Sequence, residues 1–242
     1  RDAPAIAHAH GFCVVRNLFE AGEVARWEAA ACALSEAERL KDFLTLAPFD
    51  SLVFDNRVLD LARALIGPEV VYYGETSFSL GAPPFRTWHC DARGLPEDLE
   101  ALHDPSGEAY PGWRFAIYFR DYRQASGGLK VGPGSHRRPL KDLLSRARKA
   151  VSYTSSVGSM KLPTPPFPVH NVTSASGDLV IFNLRTFHSA GALLLKENHQ
   201  AQLLPDLENQ LLAQYPTLFE TDPPGARNAL FFDFGAVAPA LD

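Results

Sequence analysis

Trp113-Arg114-Phe115-Ala116-Ile117-Tyr118-Phe119-Arg120 is the stretch whose reading decides the fold. Side chains of a strand alternate between two faces. Trp113, Phe115, Ile117 and Phe119 therefore share one face, and Arg114, Ala116, Tyr118 and Arg120 share the other. In a β-barrel one such face packs under an outer layer and the other lines the interior. With the mixed face turned inward, Arg114 and Tyr118 become substrate or cosubstrate contacts; turned to solvent, they carry no special role.

The same texture extends outward. Arg227-Asn228-Ala229-Leu230-Phe231-Phe232-Asp233-Phe234 alternates, with Leu230, Phe232 and Phe234 on one face and Arg227, Ala229 and Phe231 on the other. Gly177-Asp178 is a turn that leads into a buried strand over Leu179 to Phe182, and Ser126-Gly127-Gly128 leads into a short strand over Leu129 to Val131 that Pro133-Gly134 breaks. Val70 to Tyr73 and Thr76 to Leu80 are β-branched and aromatic, and Gly11 to Arg16 reads as a short buried strand near the start.

Two stretches carry helical periodicity instead. Val24, Trp27, Ala31 and Leu34 make one stripe of a helix from about Ala21 to Glu38. Val58, Leu59, Ala62, Leu65 and Ile66 form the buried face of a helix over 56–66, capped by Asp55 or Asn56 and stopped by Gly67-Pro68. Both are expected to buttress the outside of a sheet. Residues 92–112 form a long loop, read either as a lid or substrate wall or as a surface excursion. A short basic helix is expected over 139–150 and an extended connector over 158–168, which holds four prolines.

Composition narrows the class. A chain of 242 residues with 46% hydrophobic and 21% charged residues is ordinary globular material, long enough for one sizeable core. A net charge of −5 and no extended basic face give no reason to expect a nucleic-acid partner. The densest basic patch, His136, Arg137, Arg138, Lys141, Arg146, Arg148 and Lys149, reads as a solvated helix face or as a contact for an anionic substrate. Cys13, Cys32 and Cys90 are odd in number and widely spaced, which makes neither a disulfide framework nor a zinc pattern. With no membrane-length apolar run and no signal-like start, the cytoplasm is the expected compartment. A small-molecule substrate and a monomeric or homodimeric state are expected.

The chemistry concentrates in Thr87-Trp88-His89-Cys90-Asp91. On a strand, His89 and Asp91 point an imidazole and a carboxylate into one volume while Cys90 faces away. With His188 as third donor, the set suits a mononuclear Fe(II) held on one triangular face, with open positions opposite. An isolated H-x-D is a weak signal, and an isolated histidine is more often a satisfied core residue; the surrounding sequence gives these three their weight.

That context resembles the phytanoyl-CoA dioxygenase family of Fe(II)- and 2-oxoglutarate-dependent oxygenases. The resemblance lies in residues 11–19, in the His89/Asp91 pair, in Gly127-Gly128-Leu129-Lys130-Val131-Gly132-Pro133-Gly134-Ser135-His136, and in Gly177 to Phe182 leading to His188. It implies a mainly β, double-stranded β-helix (jelly-roll, cupin-like) with flanking N-terminal α-helices, as one domain over 1–242. Residues 1–69 would be a helical buttress and 70–242 the jelly-roll core, with an insertion over 192–226. His89, Asp91 and His188 would be the metal-binding and catalytic residues. The cofactor would be Fe(II), with 2-oxoglutarate as cosubstrate and O2 as oxidant, and the reaction hydroxylation of an unactivated C–H with release of succinate and CO2. Asp91 favours hydroxylation, since related halogenases lack that carboxylate.

The family places a cosubstrate-binding arginine soon after the distal histidine, and here no arginine lies between Arg185 and Arg227. Arg227, at the head of the last strand, takes the role, with Lys196 as runner-up and Tyr118 as a further cosubstrate contact. The intervening segment, with a helix around Asn198 to Gln214, reads as a lid, an oligomer contact or ordinary packing. Arg86, Arg114 and Trp88 are the substrate-contact candidates, Trp88 being equally readable as core. His136 is assigned a structural hydrogen bond and not a ligand role. Competing readings are a cupin-like isomerase or hydrolase that uses a metal without this cosubstrate, and a non-catalytic binding barrel.

Overall fold

The structure, a computed structural model, describes residues 2–74, 76–81, 87–91, 112–123, 126–138, 153–157, 160–163, 167–199, 201, 203–220 and 228–236. The Trp113–Tyr118 strand (β4) lies in the middle of the larger of two facing antiparallel sheets. Its neighbours are β9 (Leu179–Asn183) and β11 (Ala229–Ala236), with β1 (Phe12–Val15) beyond β9, and β2 (Val70–Tyr72) and β3 (Ser77–Ser79) both on β11. The smaller sheet is β10 (His188–Ala192), β5 (Gly128–Val131) and β8 (His170–Val172). Among the described residues the sheets form an open jelly roll and not a closed barrel.

The alternation read in β4 and β11 divides the protein into two cores. Phe115, Ile117, Leu179, Ile181, Leu230, Phe232 and Phe234 fill the outer face of the major sheet, beneath helices α1 (Ala3–His10), α2 (Ala21–Ala33), α3 (Phe49–Val53) and α4 (Asn56–Ile66). Ala116, Tyr118, Val180, Phe182, Ala229 and Phe231 fill the inner face, against Leu129, Val131 and Val172 of the minor sheet. Each fully buried Phe or Leu contributes about 2 kcal/mol, so strand register here is strongly specified.

Asp178 ties the edge of this arrangement. Its buried carboxylate accepts from Arg16 Nη1 (2.6 Å), from the Asn17 N–H (2.9 Å) and from the Ala175 N–H (2.8 Å). The Gly-Asp turn before β9 is thereby pinned to the end of β1.

Several expectations change. α2 stops at Ala33 because Ser35-Glu36-Ala37-Glu38 is itself a capping box: Glu38 accepts from the Ser35 N–H and hydroxyl, and a new turn of 3-10 helix begins there. α1, started by Pro4 and ended by Gly11 at φ 81°, was not foreseen. Part of the expected connector over 158–168 is a strand: Met160–Pro163 (β7) pairs with Tyr153–Val157 (β6). His89 sits on a single antiparallel bridge to His188 and not on a full strand. Most of the 92–112 loop, and the 139–150 helix, fall outside the described residues.

The segment after β10 packs. Its helix begins at Pro205, a residue suited to the first helical turn, and runs to Gln214 (α5). Leu193, Leu195, Ala201, Leu203, Leu211 and Phe219 form a separate apolar cluster. Lys130 lies between Leu129 and Val131 and so points away from the inner core; its fully buried ammonium donates to the Leu203 carbonyl (2.8 Å) and to Glu208. Glu208 also accepts from the Leu193 N–H (3.2 Å). Among the described residues no helix is long and apolar enough to cross a membrane. Removing one partner of a buried ion pair leaves the other charge uncompensated and costs about 3–5 kcal/mol. Glu208→Ala is therefore expected to lower the urea unfolding free energy by about 3 kcal/mol or more, and Glu208→Leu combined with Lys130→Met to recover most of it.

Candidate metal centre

The strand that carries His188 is held in place by the Gly-Pro-Gly-Ser-His loop. The Phe187 N–H donates to Ser135 Oγ (2.8 Å), and the Gly132 N–H donates to the Phe187 carbonyl (2.8 Å). The turn before it is fastened to Gly11, whose carbonyl accepts from the Asn183 N–H (2.9 Å) and the Thr186 hydroxyl (2.7 Å). His89 is then delivered by reciprocal backbone bonds: its N–H donates to the His188 carbonyl (2.9 Å), and the His188 N–H donates to the His89 carbonyl (2.8 Å). The residues before the two histidines lock the pairing, since Trp88 stacks on Phe187 with ring centroids 4.9 Å apart and planes at 16°.

The two imidazoles are oriented in the same way. His89 Nδ1 lies 2.9 Å from the Thr87 carbonyl and His188 Nδ1 lies 2.8 Å from the Thr186 carbonyl. A carbonyl oxygen only accepts, so both Nδ1 atoms carry the proton and both Nε2 atoms present a lone pair. Burial pushes the His188 imidazole down to about 4, which keeps it neutral near pH 7 despite the carboxylate of Asp91. His89 Nε2 is 3.7 Å from Asp91 Oδ1, and His188 Nε2 is 3.6 Å from Asp91 Oδ2. His89, Asp91 and His188 each offer a donor atom, all within 4.8 Å of one another, and among the described residues they are the group of metal-ligating side chains that could hold one metal ion.

Asp91 is held from the major sheet. Arg114 Nη1 lies 2.8 Å from Asp91 Oδ2, while Arg114 Nε and Nη2 donate to the two oxygens of Asp233 at 2.8 and 2.7 Å. Arg114 and Asp233 face each other in the β4–β11 register.

The sequence profile described as phytanoyl-CoA dioxygenase (PhyH) matches residues 39–194. The chain belongs to the phytanoyl-CoA dioxygenase family. With its His-Asp-His centre it is, in class, an iron- and 2-oxoglutarate-dependent oxygenase. Solved structures share the fold at low identity. The non-haem alpha ketoglutarate dependent epimerase SnoN from nogalamycin biosynthesis is 18% identical, with 97% of this chain and 82% of that one covered at a TM-score of 0.60. The carbocyclase SnoK from the same biosynthesis is 18% identical, over 98% and 83%, at 0.62. EctD from S. alaskensis with bound Fe is 18% identical, over 96% and 75%, at 0.59. No curated protein matches the chain in sequence.

Within this phytanoyl-CoA dioxygenase fold, the structure brings together His89, Asp91, His188 and Arg114. Tyr118 is buried in the inner core, with its ring at right angles to Phe231 and its centroid 6.0 Å away. Trp88 packs, partly buried, against Phe167 and Phe187. Lys196 is exposed, at the start of the segment that covers the minor sheet. Arg86 and Arg227 lie outside the described residues. The residues that orient the imidazoles act through backbone carbonyls of Thr87 and Thr186, while Asn183 closes the β9–β10 turn by accepting from the Arg185 N–H (3.0 Å). Asp233 was missed, although an acidic residue inside an apolar strand signals a buried partner.

His136 is a structural histidine, with Nε2 3.1 Å from the His8 carbonyl and its pKa pushed down to about 4 by burial. The unfolded imidazole, at the ordinary 6.5, binds more protons than the folded one between these values. Stability is then full above pH 6.5 and falls as pH drops toward 4, by up to about 3 kcal/mol from this residue. His136→Gln is expected to flatten that part of the pH dependence, read from urea unfolding at pH 7, 5.5 and 4.5.

Proposed function

We propose that this oxygenase hydroxylates an unactivated C–H of a small-molecule substrate and releases succinate and CO2. The observation that carries the reading is the pair of Nδ1–carbonyl bonds that aims both Nε2 lone pairs at Asp91. His89, Asp91 and His188 hold the metal, and iron with bound 2-oxoglutarate supplies, with O2, the oxidising power. Asp91 occupies a position that an incoming anion would otherwise take, which supports hydroxylation over halogenation.

Arg227 holds the far carboxylate of the cosubstrate, as a planar fork matches a carboxylate in bidentate fashion. Lys196 is exposed and serves less well. Tyr118 bounds the interior beside Ala229, with which it is paired in register. Arg114 is engaged by Asp91 and Asp233 and so contributes through the metal ligand and not as a free substrate anchor. Arg86 remains the candidate substrate cation. The neighbours that catalyse epimerisation and carbocyclisation use the same fold, so the product must decide the outcome.

Anaerobic titration with Fe(II) and 2-oxoglutarate is expected to develop the weak visible charge-transfer band of the chelated cosubstrate. His188→Ala should abolish it. Arg227→Ala should need ten- to a hundredfold more cosubstrate, the loss of a charge-assisted bond of about 1.5–3 kcal/mol. A substrate screen that follows succinate should then yield a product heavier by one oxygen atom. A product of unchanged mass would point to epimerisation, and one lighter by two hydrogens to ring closure. Absence of the band in the folded parent chain would sink the assignment.

A further inference from the structure

We infer that Asp233 is a positioning residue for the metal centre: it fixes the Arg114 fork, which in turn holds the Asp91 carboxylate in place beside His89 and His188. The inference rests on the metal-site reading above and adds to it a residue outside the ligand set.

Three observations converge on it. Asp233 is fully buried on the inner face of β11, following Ala229 and Phe231 at alternate positions, in a strand otherwise filled by apolar residues. A carboxylate so placed is costly unless it is paired and hydrogen-bonded. It is directly in register with Arg114, and both of its oxygens accept from that guanidinium, at 2.8 and 2.7 Å. The remaining arm, Nη1, reaches 2.8 Å to Asp91 Oδ2. A planar guanidinium gripped along one edge by a bidentate carboxylate has little freedom to turn, so the direction of Nη1 is set by Asp233.

The consequence for Asp91 is geometric. A free carboxylate can chelate a metal through both oxygens or rotate away from it. Arg114 Nη1 beside Oδ2 opposes that rotation, and it keeps Oδ2 3.6 Å from His188 Nε2 and Oδ1 3.7 Å from His89 Nε2. Outer partners of this kind commonly change metal affinity ten- to a hundredfold.

The test is Mn(II) binding to the full chain, followed by the electron paramagnetic resonance of the free ion, for the parent, Asp233→Asn, Asp233→Glu, Arg114→Met and the Asp233→Asn/Arg114→Met double variant. Circular dichroism confirms folding of each. Asp233→Asn is expected to weaken Mn(II) at least tenfold, and Asp233→Glu, which keeps the charge but displaces the fork, at least threefold. In the Arg114→Met background the Asn change should cost less than threefold, because the route through the guanidinium is gone. Parent-like affinity in a folded Asn or Glu variant overturns the inference. So does an equal loss in both backgrounds, which shows a general charge or packing effect. Failure of the parent itself to bind Mn(II) overturns instead the metal-site reading on which the inference rests.

Discussion

The reciprocal backbone pair between His89 and His188 is the contact on which the site depends. One antiparallel bridge joins two segments far apart in the chain and sets their side chains next to each other, with ring centroids 4.2 Å apart. Because each ring also bonds the carbonyl two residues before it, main chain determines both the position and the tautomer of each imidazole. Backbone geometry is stiffer than side-chain geometry. A centre built this way is organised before any ligand arrives.

Around that pair the structure arranges its buried charges by register. Arg114 meets Asp233 because β4 and β11 pair with those residues opposite each other, and Lys130 meets Glu208 because the same alternation turns it away from the inner core. In both cases a long cationic side chain crosses from a strand to another element and is satisfied there by a carboxylate. The first network faces the metal centre; the second fixes the segment that separates β10 from β11. The described residues between β10 and β11, α5 among them, pack as a cover on the outside of the minor sheet.

The fold by itself does not select the reaction, since an epimerase and a carbocyclase share it. What the site contributes is a preoriented set of two imidazoles and one carboxylate, the carboxylate paired with an arginine. Substrate placement relative to that set decides which bond is altered.

Sequence alone determined the two faces of β4 and β11, the β9 strand, the α4 helix with a cap at Asp55 or Asn56, and the His89, Asp91 and His188 candidates, because period-two and helical patterns, capping residues and a short ligand motif are local signals. Only tertiary structure decided that His89 rests on a single bridge, that Met160–Pro163 pairs as a strand, that Trp88 stacks on Phe187, and that Lys130 and Asp233 are buried and matched. Those outcomes depend on which residues lie opposite one another across strands distant in the chain. Register is set by the whole core and leaves no mark within either strand that a local reading could find.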